Sequence, residues 1–578
     1  MNQKKTIISI GFIIFMLAGF FLRYLTYDAA YINIWVTRDF DRAFNLVDGV
    51  YFPLAGSEMN NGGRLPGPFL YLLLSIPILI KHSYESIIAF NFILNCASVI
   101  GLFFVARKFF GIYVGLLSSI FLSFNLTHIG AAGFPFNPSY IFLLIPLYLW
   151  FVFELGINRN IKFLPLIILI ISLGIQLHFS LATFYIVPVL LIILLRIKVT
   201  LKPVILSVLL AAICFTPYSI YLKQTINPMF EVDDNEGTFE APNVSLVERT
   251  IKFPFLGNTL DHMTFKNGLK LGFYFNKKIA TVYYSLTLIS FLFLIWRIYK
   301  IKKEKGFQSS NKEFSLFLVF YAPALIYEII SPVGYSRHPH TWYFFIFIMP
   351  QMIMISYLLV FFFQKMKTNW QKGFYTLATF GLIIFIAIDA YADIRKSSSI
   401  LKKDLFSGEF NNYKKLHSTL MQTLNLSPEE YTSRVYFEYG LNGFSPASLK
   451  AMKLLEPSID YKNNIQLINL KEFKHSENKM DGHKNYDKRF PCFFIISGDE
   501  NLKAKNTGSV NFTSYRLTKF IRDKNIKLYK ATLKIFFSSN IKIVIVAKYI
   551  QSQNTSCYSN GLNQFVVEKE IRELLIDA

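Results

Sequence analysis

The chain has 578 residues, of which 53% are hydrophobic and 60 are Phe, and a mean hydropathy of +0.37, which excludes an ordinary soluble globular protein. Its 60 Lys+Arg against 37 Asp+Glu give a formal net charge of +23. In a soluble protein that excess would point to nucleic acid, but here Lys and Arg flank apolar runs and face anionic lipid head groups, so no nucleic-acid partner is expected.

"MNQKKTIISIGFIIFMLAGFFLRYL" opens like a signal peptide, with basic residues ahead of an apolar core. It has no clear small-x-small cleavage site and further spans follow, so it reads as an uncleaved first helix. Apolar runs of about 20 residues, enough to cross a bilayer, predict eleven spans near 7–27, 84–106, 111–128, 138–155, 162–178, 180–197, 203–222, 279–298, 314–331, 341–363 and 373–391. "PFLYLLLSIPILI" (68–80) is too short to cross and reads as an interfacial or re-entrant helix. With 68–80 left uncrossed, Lys4, Lys5, Arg107, Lys108, Arg159, Lys162, Arg196, Lys198 and Lys202 all fall on one side. "RIYKIKKEK" (297–305), Lys365, Lys367 and Lys372 join them, and the positive-inside rule makes that side the cytoplasm. The expected topology is therefore eleven spans, N-terminus in and C-terminus out.

Beyond residue 391 the sequence turns polar and Lys-rich. "RVYFEY" (434–439), "CFFIIS" (492–497) and "IKIVIVAKYI" (541–550) read as strands of a soluble, extracytoplasmic mixed α/β domain over 392–578. Four cysteines are too few for a disulfide scaffold. Cys96 and Cys214 lie inside apolar runs as inert core, whereas Cys492 and Cys557 could pair in an extracytoplasmic tail.

Polar groups near membrane depth are costly and tend to mark function. Here they gather at the outer ends of the spans. Asp39, Asp41 and Arg42 open the first outside loop, and Arg64 stands in "NNGGRLPGPFLYLLL" (60–74). His128 ends the third span, Asn137 follows in "GFPFNPSY", and Gln176 and His178 flank a short turn in "IQLHFS". Arg337, His338 and His340 stand in "YSRHPHTWYFF" (335–345). Each has a plain structural alternative. "RDFDRA" fits a helix start with Asp near the positive end, "GGRLPGP" a turn, "QLH" an interhelical hydrogen bond, and "RHPH" an interfacial anchor. Their shared side favours one site handling a polar, anionic substrate at the lipid interface.

The ordered series "RDFDRA", "PLAGSEMNNGGRLPGPFLYLLLSIP" (53–77), "FNPSYIFLLIPLYLW" (136–150), "GIQLHFSLATFYIVPVLL" (174–191) and "SRHPHTWYFFIFIMP" (336–350) resembles the GT-C polyprenyl-phosphate-sugar-dependent glycosyltransferases. The similarity is to the family 39-like bacterial group, related to protein O-mannosyltransferases and the lipid A aminoarabinose transferase, and it covers about residues 5–390. It implies a GT-C transmembrane domain over 1–391, with the first outside loop at 28–83 and about eleven spans. The tail matches no part of that pattern.

The resemblance also implies a chemistry. The donor is a polyprenyl-phosphate-linked sugar, the acceptor a glycan, glycolipid or protein hydroxyl, and transfer inverts the anomeric centre. Asp39 matches the family's acidic position as general base, with Asp41 as fallback or as a partner that orients the acceptor or a metal. Arg64, Arg337, His338 and His340 would stabilise the leaving phosphate. Arg42, His128, Asn137, Gln176 and His178 complete the substrate-binding set. The chain has Asp-Phe-Asp where the protein mannosyltransferases have an Asp-Glu pair. It also lacks the tryptophan-rich acidic motif of oligosaccharyltransferases, which argues against transfer of a whole oligosaccharide to Asn. A divalent metal is left open, since no ligand spacing decides it. Two competing readings are a multispan lipid or glycolipid transporter and a non-catalytic envelope assembly protein.

Overall fold

The computed structural model describes residues 3–32, 34–58, 63–224, 277–330, 345–403, 435–437, 492–497, 527–537 and 541–551. The chain separates into two compact units, one comprising 1–30 and 39–400, the other 31–38 and 401–578. The first is helical: α1 (Gln3–Asp28), α2 (Ile34–Val47), α3 (Phe69–Ile80), α4 (Tyr84–Phe110), α5 (Ile112–Ser123), α6 (Leu126–Gly133), α7 (Ile141–Gly156), α8 (Leu164–Leu177), α9 (Ile186–Leu194), α10 (Leu201–Gln224), α11 (Lys277–Lys305), α12 (Asn311–Ile330), α13 (Phe345–Lys365) and α14 (Asn369–Lys403). Short 3₁₀ turns lead into α7, α8, α9 and α12.

The expected spans fall on helices of this unit as far as its residues are described, 111–128 on two of them and 180–197 partly on a 3₁₀ turn, and the protein is a polytopic α-helical membrane protein. Among the described residues six helices are long and apolar enough to cross a bilayer, or seven if one bent pair counts as a single span. α7 and α13 are buried along most of their length, whereas α1, α10 and α14 present Ile13, Leu17, Val208, Ile213, Leu377 and Ile388 outward, where lipid is the matching solvent. α4 shows how the sequence ends its own helix. Ser83 caps the first turn by accepting from the Ser86 amide, and Arg107 and Lys108 stand at the negative end.

α3 has 12 residues, about 18 Å at 1.5 Å per residue, against a hydrocarbon core of about 30 Å. It buries Leu70, Tyr71, Leu74 and Ile78 on the bundle and turns Leu72, Ile76, Leu79 and Ile80 outward.

The expected straight span 111–128 is instead broken. α5 and α6 meet at 58°, because Asn125 takes an extended backbone and caps α6 through the His128 amide at 2.9 Å. A break inside a membrane protein orphans carbonyls that no water reaches. Arg23, fully buried on α1, answers them, donating to the carbonyls of Leu122 (3.0 Å) and Ser123 (2.8 Å). It also donates to Gly19 O (2.9 Å) and Asn95 Oδ1 (2.7 Å) and meets His128 Nδ1 (2.6 Å), which occupies all five guanidinium N–H groups. From α4, Asn95 donates to His128 O, and Asn91 donates to Ala131 O and Ala132 O. Both ends of α6 are thereby satisfied by side chains.

The end of the bundle remote from α2 and α3 carries its own ion pairs. Lys108 pairs with Glu154 and sits over the Trp150 ring, and Arg297 pairs with Glu313, which also accepts from the Tyr357 hydroxyl.

In the second unit the described residues form a four-stranded sheet of order β1-β2-β4-β3: β1 (Val435–Phe437), β2 (Cys492–Ser497), β3 (Lys527–Phe537) and β4 (Ile541–Gln551). β1 and β2 run parallel and the other pairs antiparallel. Three of these strands are the three expected ones, and β3 joins β4 through a short connection that puts Phe537 opposite Ile541.

Candidate active site

α2 places its functional groups by helical spacing alone. At about 100° per residue, Asp39 and Arg42 share a face while Asp41 points the other way. Phe40 and Phe44 pack edge-on or tilted against the Tyr84 ring at 4.9 and 5.9 Å, tying α2 to the start of α4. Asp41 accepts from the Tyr84 hydroxyl at 3.3 Å and is half-buried.

Asp39 is buried, at 3% exposure. Its Oδ2 accepts from the Ser57 hydroxyl at 2.8 Å and its Oδ1 from the Tyr71 hydroxyl at 3.4 Å. Arg42 Nη1 donates to the same Tyr71 oxygen at 3.1 Å, so a chain of donors runs from guanidinium to phenol to carboxylate. Burial first, and the negative charge of Asp39 second, push the Tyr71 phenol above its ordinary value, so it stays neutral and remains a donor. Burial works against the Arg42 charge, but the Tyr71 and Glu58 oxygens outweigh it and hold the guanidinium above its ordinary value.

Ser57, Glu58 and Arg64 are placed by a small clasp in the first loop. Gly56 N donates to Leu65 O (2.8 Å), Leu65 N to Ser57 O (2.9 Å), and Glu58 and Arg64 form an antiparallel bridge. One Glu58 oxygen takes both Arg42 Nη2 and Arg64 Nη2, the latter at 2.8 Å. Two guanidinium groups thus share one carboxylate, leaving the triad net positive beside Asp39. The Arg64 guanidinium also lies 6.0 Å from the Tyr221 ring centroid on α10.

The remaining expected residues divide. Gln176 accepts from the Phe69 amide at 3.0 Å, at the start of α3, and donates to Cys214 O at 3.0 Å. Gly67, at φ +128°, lies against it so closely that a Cβ there would meet Gln176 Oε1 at 2.3 Å. Asn137 donates to Leu177 O at 2.7 Å, and His178 Nδ1 accepts from the Ser180 amide at 3.3 Å while pairing with its hydroxyl at 2.7 Å. Asn137 and His178 hold the turn between α8 and α9, and Gln176 ties α8 to the start of α3 and to α10. His128 belongs to the Arg23 network, with Ser98 at 2.9 Å on Nε2 and no exposed surface. Arg337, His338 and His340 lie outside the described residues, as does Cys557. Among the described residues no group of three His, Cys, Asp or Glu is arranged to hold a metal ion.

Sequence reading did not single out Ser57, Glu58, Tyr71 or Arg23. The first three carry no signal separable from loop and core residues. Arg23, a lone charge inside an apolar run, does carry one.

Fold and site together define a polytopic helical membrane protein with a carboxylate and an arginine pair gathered at one end of its bundle. No family model matches the sequence, and no curated protein matches it. The solved structure of ArnT from Cupriavidus metallidurans in the apo state covers 93% of this chain and 98% of its own, at a TM-score of 0.51 and 11% identity. ArnT from Cupriavidus metallidurans bound to undecaprenyl phosphate covers 93% of this chain and 97% of its own, at a TM-score of 0.50 and 10% identity. Archaeal oligosaccharyltransferase AglB from Archaeoglobus fulgidus covers 96% of this chain and 75% of its own, at a TM-score of 0.42 and 11% identity. The likeness to ArnT is one of fold.

Proposed function

We propose that the protein is a membrane glycosyltransferase that moves a sugar from a polyprenyl-phosphate donor to an acceptor hydroxyl at the extracytoplasmic face of a bacterial inner membrane. Asp39 takes the proton of the attacking hydroxyl as its oxygen bonds to the anomeric carbon. The bond from that carbon to the phosphate oxygen breaks on the opposite side, so the centre inverts and polyprenyl phosphate leaves. Arg42 and Arg64 stabilise the charge that builds on the leaving phosphate, a task suited to planar, paired N–H donors. Arg337, His338 and His340, read from the sequence, belong to the same proposal.

The observation that carries this reading is the single cluster of Asp39, Tyr71, Arg42, Glu58 and Arg64. It pairs a proton acceptor with phosphate-compatible cations in a fold whose solved representative is found with undecaprenyl phosphate. The test compares surface glycans and glycolipids by mass spectrometry in a strain lacking the gene, complemented with wild type or Asp39→Asn. A general base contributes about 10²–10⁴-fold, so the sugar-bearing product is expected to disappear in the variant at normal protein level. Unchanged product would overturn Asp39 as base. Movement of labelled lipid across vesicles with no new glycosidic bond would favour a transporter instead.

A further inference from the structure

Arg42 and Arg64 are brought to one place by contacts that do not involve the Glu58 carboxylate. Arg42 rides on α2, whose Phe40 and Phe44 pack on Tyr84, and its Nη1 donates to the Tyr71 hydroxyl at 3.1 Å. Arg64 is set by the clasp, where Leu65 N donates to Ser57 O at 2.9 Å, and its guanidinium lies 6.0 Å from the Tyr221 ring centroid. Glu58 sits between the two cations rather than assembling them. A single oxygen, Oε1, takes an N–H from each, with Arg64 Nη2 at 2.8 Å. The Glu58 side chain is 39% exposed against 14% for Arg42, so the carboxylate has solvent on one flank and room to swing away while the clasp stays closed.

Formal charge says what the carboxylate stands in for. With Glu58 in place, Arg42 and Arg64 balance Asp39 and Glu58. A polyprenyl-phosphate sugar is a phosphodiester and carries one negative charge, as a carboxylate does. With that phosphate in place of Glu58 the sum is again zero. It stays zero through the step, because the acceptor proton neutralises Asp39 while the phosphate takes up a second negative charge on leaving. A Glu58 carboxylate kept between the arginines would add an unbalanced negative charge beside the donor. We propose that Glu58 occupies the seat of the donor phosphate in the empty site, and that donor binding displaces its carboxylate from Arg42 and Arg64. This inference rests on the glycosyl-transfer reading of the site. Phosphate wins the exchange because its two non-bridging oxygens can each serve one arginine, whereas Glu58 Oε1 is shared between both. A part-exposed ion pair also costs little to break. After transfer the returning carboxylate competes with polyprenyl phosphate and helps it leave.

Glu58→Gln keeps the side chain's shape and removes its charge. Undecaprenyl phosphate titrated into the detergent-purified full chain is expected to bind this variant about 3–10-fold more tightly than wild type, the gain from removing an internal competitor of part-exposed strength. Its melting temperature should stay close to wild type. Glu58→Ala, which removes the carboxylate altogether, should also bind more tightly and gives a second measure if Glu58→Gln fails to fold. Weaker binding by either folded variant overturns the inference, since Glu58 would then be organising the arginines. Wild-type affinity in Glu58→Gln, with Arg64→Ala weakened, also overturns it and leaves the phosphate site standing. Wild-type affinity in both Glu58→Gln and Arg64→Ala overturns the reading on which the inference rests.

Discussion

Arg23→Lys is the sharpest test of how the broken α5–α6 segment survives in an apolar bundle. The guanidinium spends its five N–H groups on Leu122 O, Ser123 O, Gly19 O, Asn95 Oδ1 and His128 Nδ1. A lysine ammonium has three donors on one atom, so at least two of these acceptors lose their partner. At ~0.6–2 kcal/mol for each bond lost in a buried, membrane-embedded setting, the variant should be less stable by ~1–4 kcal/mol. Neither charge nor overall size changes greatly, so the loss reports the fork geometry that distinguishes Arg from Lys. Unfolding of the purified protein in detergent, followed by denaturant titration against wild type, measures it. A variant within ~0.5 kcal/mol of wild type would refute the reasoning, because the carbonyls at the break would then have other donors.

Two further substitutions examine the first loop. Gly67→Ala forces a side chain onto φ +128° and into Gln176 Oε1 at 2.3 Å, so it should cost ~1–3 kcal/mol in the same assay. It should also loosen the start of α3, detected as faster proteolysis of that loop. Arg64→Ala should weaken undecaprenyl phosphate binding about 10-fold, the effect of losing one charge-assisted contact of ~1.5 kcal/mol. Its melting temperature should stay close to wild type, because the Arg64–Glu58 pair is part-exposed. Unchanged lipid binding in Arg64→Ala would remove that residue from the phosphate site.

Much of the helical architecture is legible residue by residue. The eleven apolar runs, their basic flanks and the short 68–80 segment follow from hydropathy and bilayer thickness, which act locally and need no partner. Helical spacing likewise puts Asp39 and Arg42 on one face of α2. What escapes is pairing between distant segments. No local pattern says that Asn125 breaks a span, or that Arg23 is the donor that makes the break tolerable. "GGRLPGP" reads as a turn, and only the Ser57–Leu65 clasp shows how Ser57 and Glu58 come to Asp39 and Arg42.

The sequence by itself determined that this is a many-span membrane protein, which ends of its spans carry the basic residues, and which acidic and basic side chains were worth following. Bilayer insertion is a per-segment free energy, so composition suffices for it. Only the tertiary structure decided what those side chains do to one another. It ties Gln176 to the start of α3, seals His128 against Arg23, and links Asp39 to Arg42 through Tyr71. Hydrogen bonds between segments separated by many residues are set by packing, and packing is not written in any one segment.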